Sequence, residues 1–361
     1  MKKIIGILLG MLGGAVVGVV IALANFNVPE YAFSFGNLVL VLLSFVLFFL
    51  LAVVVHETGH LVCGLATGYK FSQFRLFSFV WTKKNGKIRF AYSKSFVAGQ
   101  CLMEPPKDYV DFKYKLYNLG GGLFNIAFGL ILLGIWLLLP GVGFLLVGAV
   151  LNIVLGLLNL IPLNLEVPND GMNIRTAAKS DIASQGFHLM LKVSHEMTEG
   201  KRFRDFVPEL FALPNGADLG NYFVAYFVML EAARLEDLGE YDAMAGQLRR
   251  LKDVKLPAYY HNSIRQDMLV YYIIHNPDYD KARRLYTKKA MQKFLQMPLP
   301  NCAIARTAYT YFVLDDKENG AKLLAKAKAL TESYPNEGHR LIWMNDLARL
   351  EELMLDNAQD T

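Results

Sequence analysis

The stretch Val53-Val54-Val55-His56-Glu57-Thr58-Gly59-His60-Leu61-Val62 places two histidines and a glutamate at the end of an unbroken apolar run. On a helix, His56 and His60 are one turn apart on the same face, so both imidazoles can reach one Zn²⁺ ion. Glu57 lies beside them, where it can reach a water molecule at the metal. Ionisable side chains are costly inside a bilayer and occur there mainly where they bind something or carry a reaction. The stretch therefore predicts a zinc-dependent hydrolytic site on a membrane helix, the alternative being a chance match with packed histidines.

The composition favours a membrane protein with a separate water-soluble part. Hydrophobic residues make up 54% of the 361 residues and charged residues only 19%, and the mean hydropathy of +0.29 is high for a chain of this length. The apolar excess lies before about residue 165, and the remainder has the charge density of a soluble helical domain. The net charge of +5 is concentrated in one loop, which indicates membrane topology, so we expect no nucleic-acid partner.

Four apolar runs are long enough to cross a bilayer, and they predict spans at about 4–24, 35–66, 116–139 and 144–162. The first run has a competing interpretation, because Ala22-Leu23-Ala24 resembles the cleavage site of a signal peptide. The loop between the second and third runs carries ten basic and three acidic residues. The positive-inside rule places that loop in the cytoplasm, and with four spans both chain termini are cytoplasmic as well.

The basic loop contains a predicted β-hairpin over residues 70–100. Its two halves are rich in aromatic and β-branched residues and flank Asn85-Gly86, which is a strong hairpin-turn signal. The aromatic content could place the hairpin at the membrane interface, and a free strand edge could bind an unwound substrate segment. A purely structural hairpin explains the same pattern.

Two histidines are too few for a catalytic zinc, which normally has three protein ligands. Four residues are candidates for the third ligand: Asp170, Glu166, His188 and His195. Asp170 is preferred because Pro162 and Pro168 break the helix before it and let the chain turn back towards the histidines.

Three features together resemble the site-2 protease family of intramembrane zinc metalloproteases. They are His56-Glu57-Thr58-Gly59-His60 in a span, Gly120 to Asn125 at the start of another, and an Asn-x-x-Pro stretch leading to Asp170-Gly171. The resemblance covers roughly the first 180 residues. It implies that the basic hairpin corresponds to the membrane-associated β element of bacterial members of the family. It implies one zinc held by His56, His60 and Asp170, Glu57 as general base, Asn125 near the site, and cleavage of a peptide bond in or near a transmembrane segment.

The rest of the chain is expected to be helical. Residues 181–215 are predicted as a helical linker, and residues 216–361 as a repeat domain, because similar turns recur at Gly239-Glu240, Pro277-Asp278 and Lys317-Glu318. This pattern is similar to tetratricopeptide repeats, which would bind a cytoplasmic peptide or protein. A plain helical cap is the alternative.

The predicted fold is therefore mainly α, with a membrane-embedded domain at 1–180 that includes the hairpin, followed by the soluble helical part. The predicted function is an intramembrane zinc metalloendopeptidase in the plasma membrane of a bacterium, acting on a membrane protein or peptide. The alternative is a catalytically silent, membrane-anchored scaffold that binds a peptide through its repeats.

Overall fold

The computed structural model describes residues 35–139 and 143–359. The predicted span at about 4–24 lies outside these residues. Contacts divide the chain into two units. The first contains the described residues up to Lys70 together with Val110–Arg175, and the second contains Phe71–Tyr109 together with the described residues from Thr176 onwards.

The first unit is built on three apolar helices: α1 (Phe35–Ala66), α2 (Tyr114–Leu138) and α3 (Gly143–Leu160). All three are long and apolar enough to cross a membrane. Their outward faces carry exposed leucines and isoleucines, for example Leu43 on α1 and Ile131 on α2. A soluble protein rarely exposes apolar surface so continuously, so these faces suit a lipid environment.

Small residues let the three helices approach closely. The backbones of Gly59 on α1 and Gly120 on α2 are in direct contact, and a Cβ at either position would collide with the other chain segment. On α3, a Cβ at Gly148 would meet the ring of Phe48 at 2.5 Å. Close helix contacts through small residues are the usual way in which membrane helices associate. After α3, an irregular stretch leads to the short helix α4 (Asp170–Ala177).

The predicted hairpin is present, with strands β1 (Lys70–Lys84) and β2 (Lys87–Glu104). Asn85 and Gly86 both have positive φ, 50° and 76°, as the two-residue turn requires. One face of the sheet is buried within the second unit. The other face is exposed and aromatic, and the ring of Phe79 contacts those of Phe90 and Tyr92.

The second unit also contains nine α-helices among the described residues. They are α5 (Asp181–Thr198), α6 (Tyr222–Leu238), α7 (Tyr241–Arg249), α8 (Ala258–Val270), α9 (Tyr279–Tyr286), α10 (Lys289–Leu295), α11 (Pro300–Ala308), α12 (Lys317–Glu332) and α13 (Glu337–Gln359). Two of the predicted repeat turns share one backbone pattern. In each, a π-helical turn continues the preceding helix. An aspartate, Asp278 or Asp316, then caps the next helix by accepting a hydrogen bond from the backbone N–H three residues later. This recurrence agrees with a helical repeat, and the relation to tetratricopeptide repeats stays a prediction.

The division of the chain differs from the predicted domains in two respects. The hairpin belongs to the second unit, called the helical unit below, and not to the unit of the membrane helices. The backbone N–H of Asn85 donates to Glu199 (3.2 Å), and Lys84 pairs with Glu337. The predicted linker at 181–215 is part of a core, because Met197, Phe206 and other buried side chains from this segment pack together. Both differences come from contacts between residues far apart in the sequence.

Candidate metal centre

Three potential metal-ligating atoms converge at one end of the first unit. Nε2 of His56 and Nε2 of His60 lie 3.1 Å apart, and Oδ2 of Asp170 lies 3.2 Å from the first and 3.4 Å from the second. Among the described residues, these three form the one group of His, Cys, Asp or Glu side chains close enough to share a metal ion. The structure therefore brings together the two histidines of the sequence motif and the preferred third ligand.

The spacing of these atoms fits a bound cation. In a tetrahedral site with metal–ligand bonds of roughly 2.0–2.2 Å, ligand atoms lie about 3.3–3.6 Å apart, which is close to the separations here. The carboxylate can only accept hydrogen bonds, and its buried Oδ2 has no hydrogen-bond partner within the described residues. Burial raises the pKa of Asp170, but the neighbouring histidines lower it by a larger amount. The pKa therefore stays below its ordinary value, and the carboxylate is ionised. Two imidazoles and one carboxylate are a donor set that suits zinc.

The ring of His60 is oriented by the backbone of α2. Its Nδ1 lies 2.8 Å from the carbonyl oxygen of Tyr117. Because a carbonyl can only accept, Nδ1 donates the hydrogen, and Nε2 of a neutral ring then presents a lone pair to the site. Metal-binding histidines commonly use the second ring nitrogen in this way. Sequence reasoning missed this contact, which depends on a backbone atom 57 residues away.

A glycine on α2 leaves room for both imidazoles. A Cβ built at Gly121 would lie 2.5 Å from Cε1 of His56 and 2.6 Å from Nε2 of His60. Such distances are far below ordinary contact, so no side chain fits between the helix backbone and the rings. The Gly120-Gly121-Gly122 run thus positions the imidazoles as well as allowing helix contact.

Asn169 fixes the position of Asp170. Its amide donates to the carbonyls of Leu158 and Ile161, both at 2.7 Å, at the end of α3. Its side-chain oxygen accepts from the N–H of Leu163 (3.2 Å) and from that of Met172 (3.0 Å), which caps α4. Asp170 is therefore the first residue of a helix, where a carboxylate is favoured by the helix dipole. The sequence signal was the Asn-Asp-Gly run after Pro168, which also matches an ordinary turn.

The two predicted catalytic residues are both buried. Glu57 is 7% exposed and precedes His60 by three residues, a spacing at which helical side chains are neighbours. Asn125 is 2% exposed and lies one turn after Gly121 on α2, and its Oδ1 has no partner within the described residues. A catalytic role for either residue stays a prediction.

The other candidates for the third ligand make different contacts or are exposed. Nε2 of His188 lies 2.8 Å from the carbonyl oxygen of Pro106, and Nδ1 of His195 lies 2.9 Å from the hydroxyl of Ser72. Burial lowers the pKa of His188, so its ring is neutral near pH 7. Glu166 is exposed in the stretch between α3 and α4. Asp170 alone among the four shares a site with His56 and His60.

Comparison of the chain with models of protein families, with curated proteins and with solved structures gives no match. The geometry of the site is therefore the basis for the function proposed below.

Proposed function

We propose that this chain is a membrane-embedded zinc metalloendopeptidase of the site-2 protease type, which hydrolyses a peptide bond in or near a transmembrane segment. The observation that carries the proposal is the convergence of His56, His60 and Asp170 at tetrahedral spacing. The two histidines lie on a helix that is apolar enough to cross a membrane. A glutamate follows the first histidine, as it does in zinc proteases with this motif.

Zinc held by these three residues would supply Lewis-acid chemistry, which polarises a carbonyl and makes a water molecule acidic near neutral pH. The chain itself has to move the proton. Glu57 is the candidate general base, because it is adjacent to His56 and buried with the ligands. After attack on the peptide carbonyl, the same carboxyl group returns the proton to the leaving amine.

Asn125 is the candidate donor to the oxygen of the substrate carbonyl as negative charge develops on it. Its side chain is buried on α2, and its amide nitrogen Nδ2 carries the hydrogens that such a contact requires. If this role is correct, Asn125→Ala lowers kcat by about 100-fold. A matched control is Asn152→Ala on α3, whose amide bonds to the carbonyl of Gly148 in its own helix. Equal activity of the two variants would show that Asn125 only packs between helices and takes no part in catalysis.

The proposal includes the environment of the enzyme. The lipid bilayer is the partner of the exposed apolar faces of α1, α2 and α3. The basic loop sets the orientation, with both termini in the cytoplasm of a bacterial cell and the helices in its plasma membrane. A transmembrane substrate has to unwind before cleavage, because the backbone of an intact helix is fully hydrogen-bonded. Small or helix-breaking residues near the cleaved bond are therefore expected in the substrate.

The proposal is tested by measuring bound zinc in the purified full chain. We expect about one zinc per wild-type chain, and loss of zinc in His56→Ala and in Asp170→Ala. Glu166→Ala is the matched control, because it removes an exposed carboxylate that is close to Asp170 in the sequence but lies outside the site. Wild-type protein that stays metal-free after incubation with zinc would overturn the proposal and favour a non-catalytic scaffold.

A further inference from the structure

The helical unit contains a concave pocket of about 200 Å³, separate from the residues of the metal centre. Its walls come mainly from α6, α8 and α13. Three acidic side chains line it, one from each of these helices: Glu236, Asp267 and Asp346. The helices are distant in sequence, so the fold alone brings the three carboxylates together.

The three carboxylates make no ion pair within the described residues. Neither Glu236 nor Asp346 makes a side-chain hydrogen bond or an ion pair within residues 35–139 and 143–359. Asp267 accepts one hydrogen bond, from the amide of Gln266 at 3.3 Å. All three side chains are partly buried, and proteins usually pair carboxylates that are removed from water. Unpaired carboxylates that face a cavity indicate that the partner is a ligand.

The positive groups near the pocket make no ion pair with its carboxylates, although Arg349 and Arg202 act on Asp346 from a distance. Arg349 lines the pocket, but its guanidinium donates to the hydroxyl of Tyr241 (3.1 Å) and lies over that ring. Burial lowers the pKa of His339 to about 4, and burial together with Arg349 lowers that of His275 to about 4. Both histidines are therefore uncharged near pH 7, and neither balances the carboxylates.

Arg202, which lies close to Asp346, is bound to another acid. Its guanidinium pairs with Asp237, a fully buried carboxylate that also accepts from the backbone N–H of Arg204 at 2.9 Å. Burial and repulsion from neighbouring carboxylates raise the pKa of Glu236, Asp267 and Asp346, although Arg202 and Arg349 lower that of Asp346 in part. The acidic pocket therefore holds extra protons when it is empty, and a cation that enters it should displace them.

The geometry favours an organic cation over a metal ion. Among the described residues, the three pocket carboxylates do not bring their oxygens within 4.8 Å of one another, so they cannot all ligate one metal ion. The walls between them are aromatic and apolar, with Tyr226, Trp343 and Met229. Such surfaces pack against the aliphatic stem of a charged side chain and attract its cationic head. The volume is below the range of drug-sized sites, so one side chain or a small amine fits.

We propose that the acidic pocket binds an ammonium or guanidinium group on an aliphatic stem. The group is either a free small amine or a lysine or arginine side chain of a peptide. This inference does not depend on the proposed protease activity, because every residue that carries it lies in the helical unit.

Calorimetric titration of the full chain in detergent tests the proposal with three probes. They are agmatine, an acetylated and amidated Gly-Leu-Arg-Leu-Gly peptide, and the same peptide with neutral citrulline in place of arginine. We expect agmatine or the arginine peptide to bind, and the citrulline peptide to bind at least about tenfold more weakly. We also expect binding to release protons, measured as a dependence of the heat on buffer ionisation. Binding of agmatine alone identifies a free amine as the ligand, and binding of the peptide alone identifies a side chain.

Glu236→Gln keeps the shape of the side chain and removes its charge, so the variant should fold at least as stably as the wild type. We expect it to bind the cationic probe about tenfold more weakly than the wild type. Asp280→Asn is the matched control, because this aspartate is on the same unit but its side chain is 79% exposed. Failure of the wild type to bind either cationic probe would overturn the proposal, as would equal affinity of the two variants.

Discussion

Replacement of Gly121 by alanine tests the site geometry most sharply. The added Cβ would lie 2.5 Å from Cε1 of His56, 2.6 Å from Nε2 of His60 and 2.7 Å from Nδ1 of His56. Ordinary contacts between such atoms are about 3.5–4.0 Å, so the rings or the helix must move by about 1 Å. Metal sites tolerate errors of only about 0.2 Å in ligand distance. We therefore expect Gly121→Ala to weaken zinc binding by about 10- to 100-fold and to lower cleavage by about 100-fold.

The assay is a competition titration of zinc against a chromophoric chelator, with the purified full chain. Gly134→Ala is the matched control on the same helix, because a Cβ at Gly134 would have no atom within 4 Å. It should bind zinc like the wild type, and its stability should be equal or slightly higher. Equal zinc affinity of the two variants would refute the argument that α2 backbone contact positions the imidazoles.

Three further changes have defined outcomes. Asn169→Ala removes four hydrogen bonds that position the start of α4 and hence Asp170, so it should lower zinc affinity by about tenfold. Asn164→Ala is the control, because Asn164 is exposed, and it should leave zinc affinity unchanged. Equal zinc affinities of the two variants would contradict this prediction. Asp237→Asn should lower the free energy of unfolding by about 2 kcal/mol, measured by denaturant titration, because it leaves two arginines without their buried partner. The stability of the wild type should fall as pH rises from about 4 to about 7, because the folded state keeps protons on Asp267 and Asp346 that the unfolded chain releases. Asp267→Asn should flatten that pH dependence, and an unchanged profile would show that the acidic pocket does not cause it.

The local features of the fold could be predicted from the sequence because each has a short-range cause. The apolar runs predicted α1, α2 and α3 with bounds within two residues of those in the structure. The Asn85-Gly86 turn fixed the register of the hairpin, since only residues that tolerate positive φ fit there.

The part of the site that depends on helix periodicity was also predictable. His56 and His60 share a face because four residues make about one helical turn. The sequence favoured Asp170 over three alternatives but could not settle the choice. The approach of Asp170 to the histidines depends on the hydrogen bonds of Asn169 to the end of α3, eight to eleven residues earlier.

Features that depend on contacts between distant segments could not be predicted. The position of the hairpin in the helical unit depends on Glu199 and Glu337, which lie more than a hundred residues after Lys84 and Asn85, the residues that they contact. The acidic pocket draws one carboxylate from each of three helices whose charges look like ordinary surface charges in the sequence. Periodicity indicates which face of a helix is buried, but not which segment covers it.

The central claim is that Glu57 moves a proton at a zinc site formed by this chain. The most direct measurement is cleavage of synthetic transmembrane peptides in detergent micelles, followed by mass spectrometry, with zinc-loaded wild type and zinc-loaded Glu57→Gln. Both proteins should hold about one zinc per chain, because Glu57 is not a ligand. We predict that the wild type produces defined fragments and that Glu57→Gln, with its metal retained, produces none. Fragments formed equally by both proteins would contradict the account.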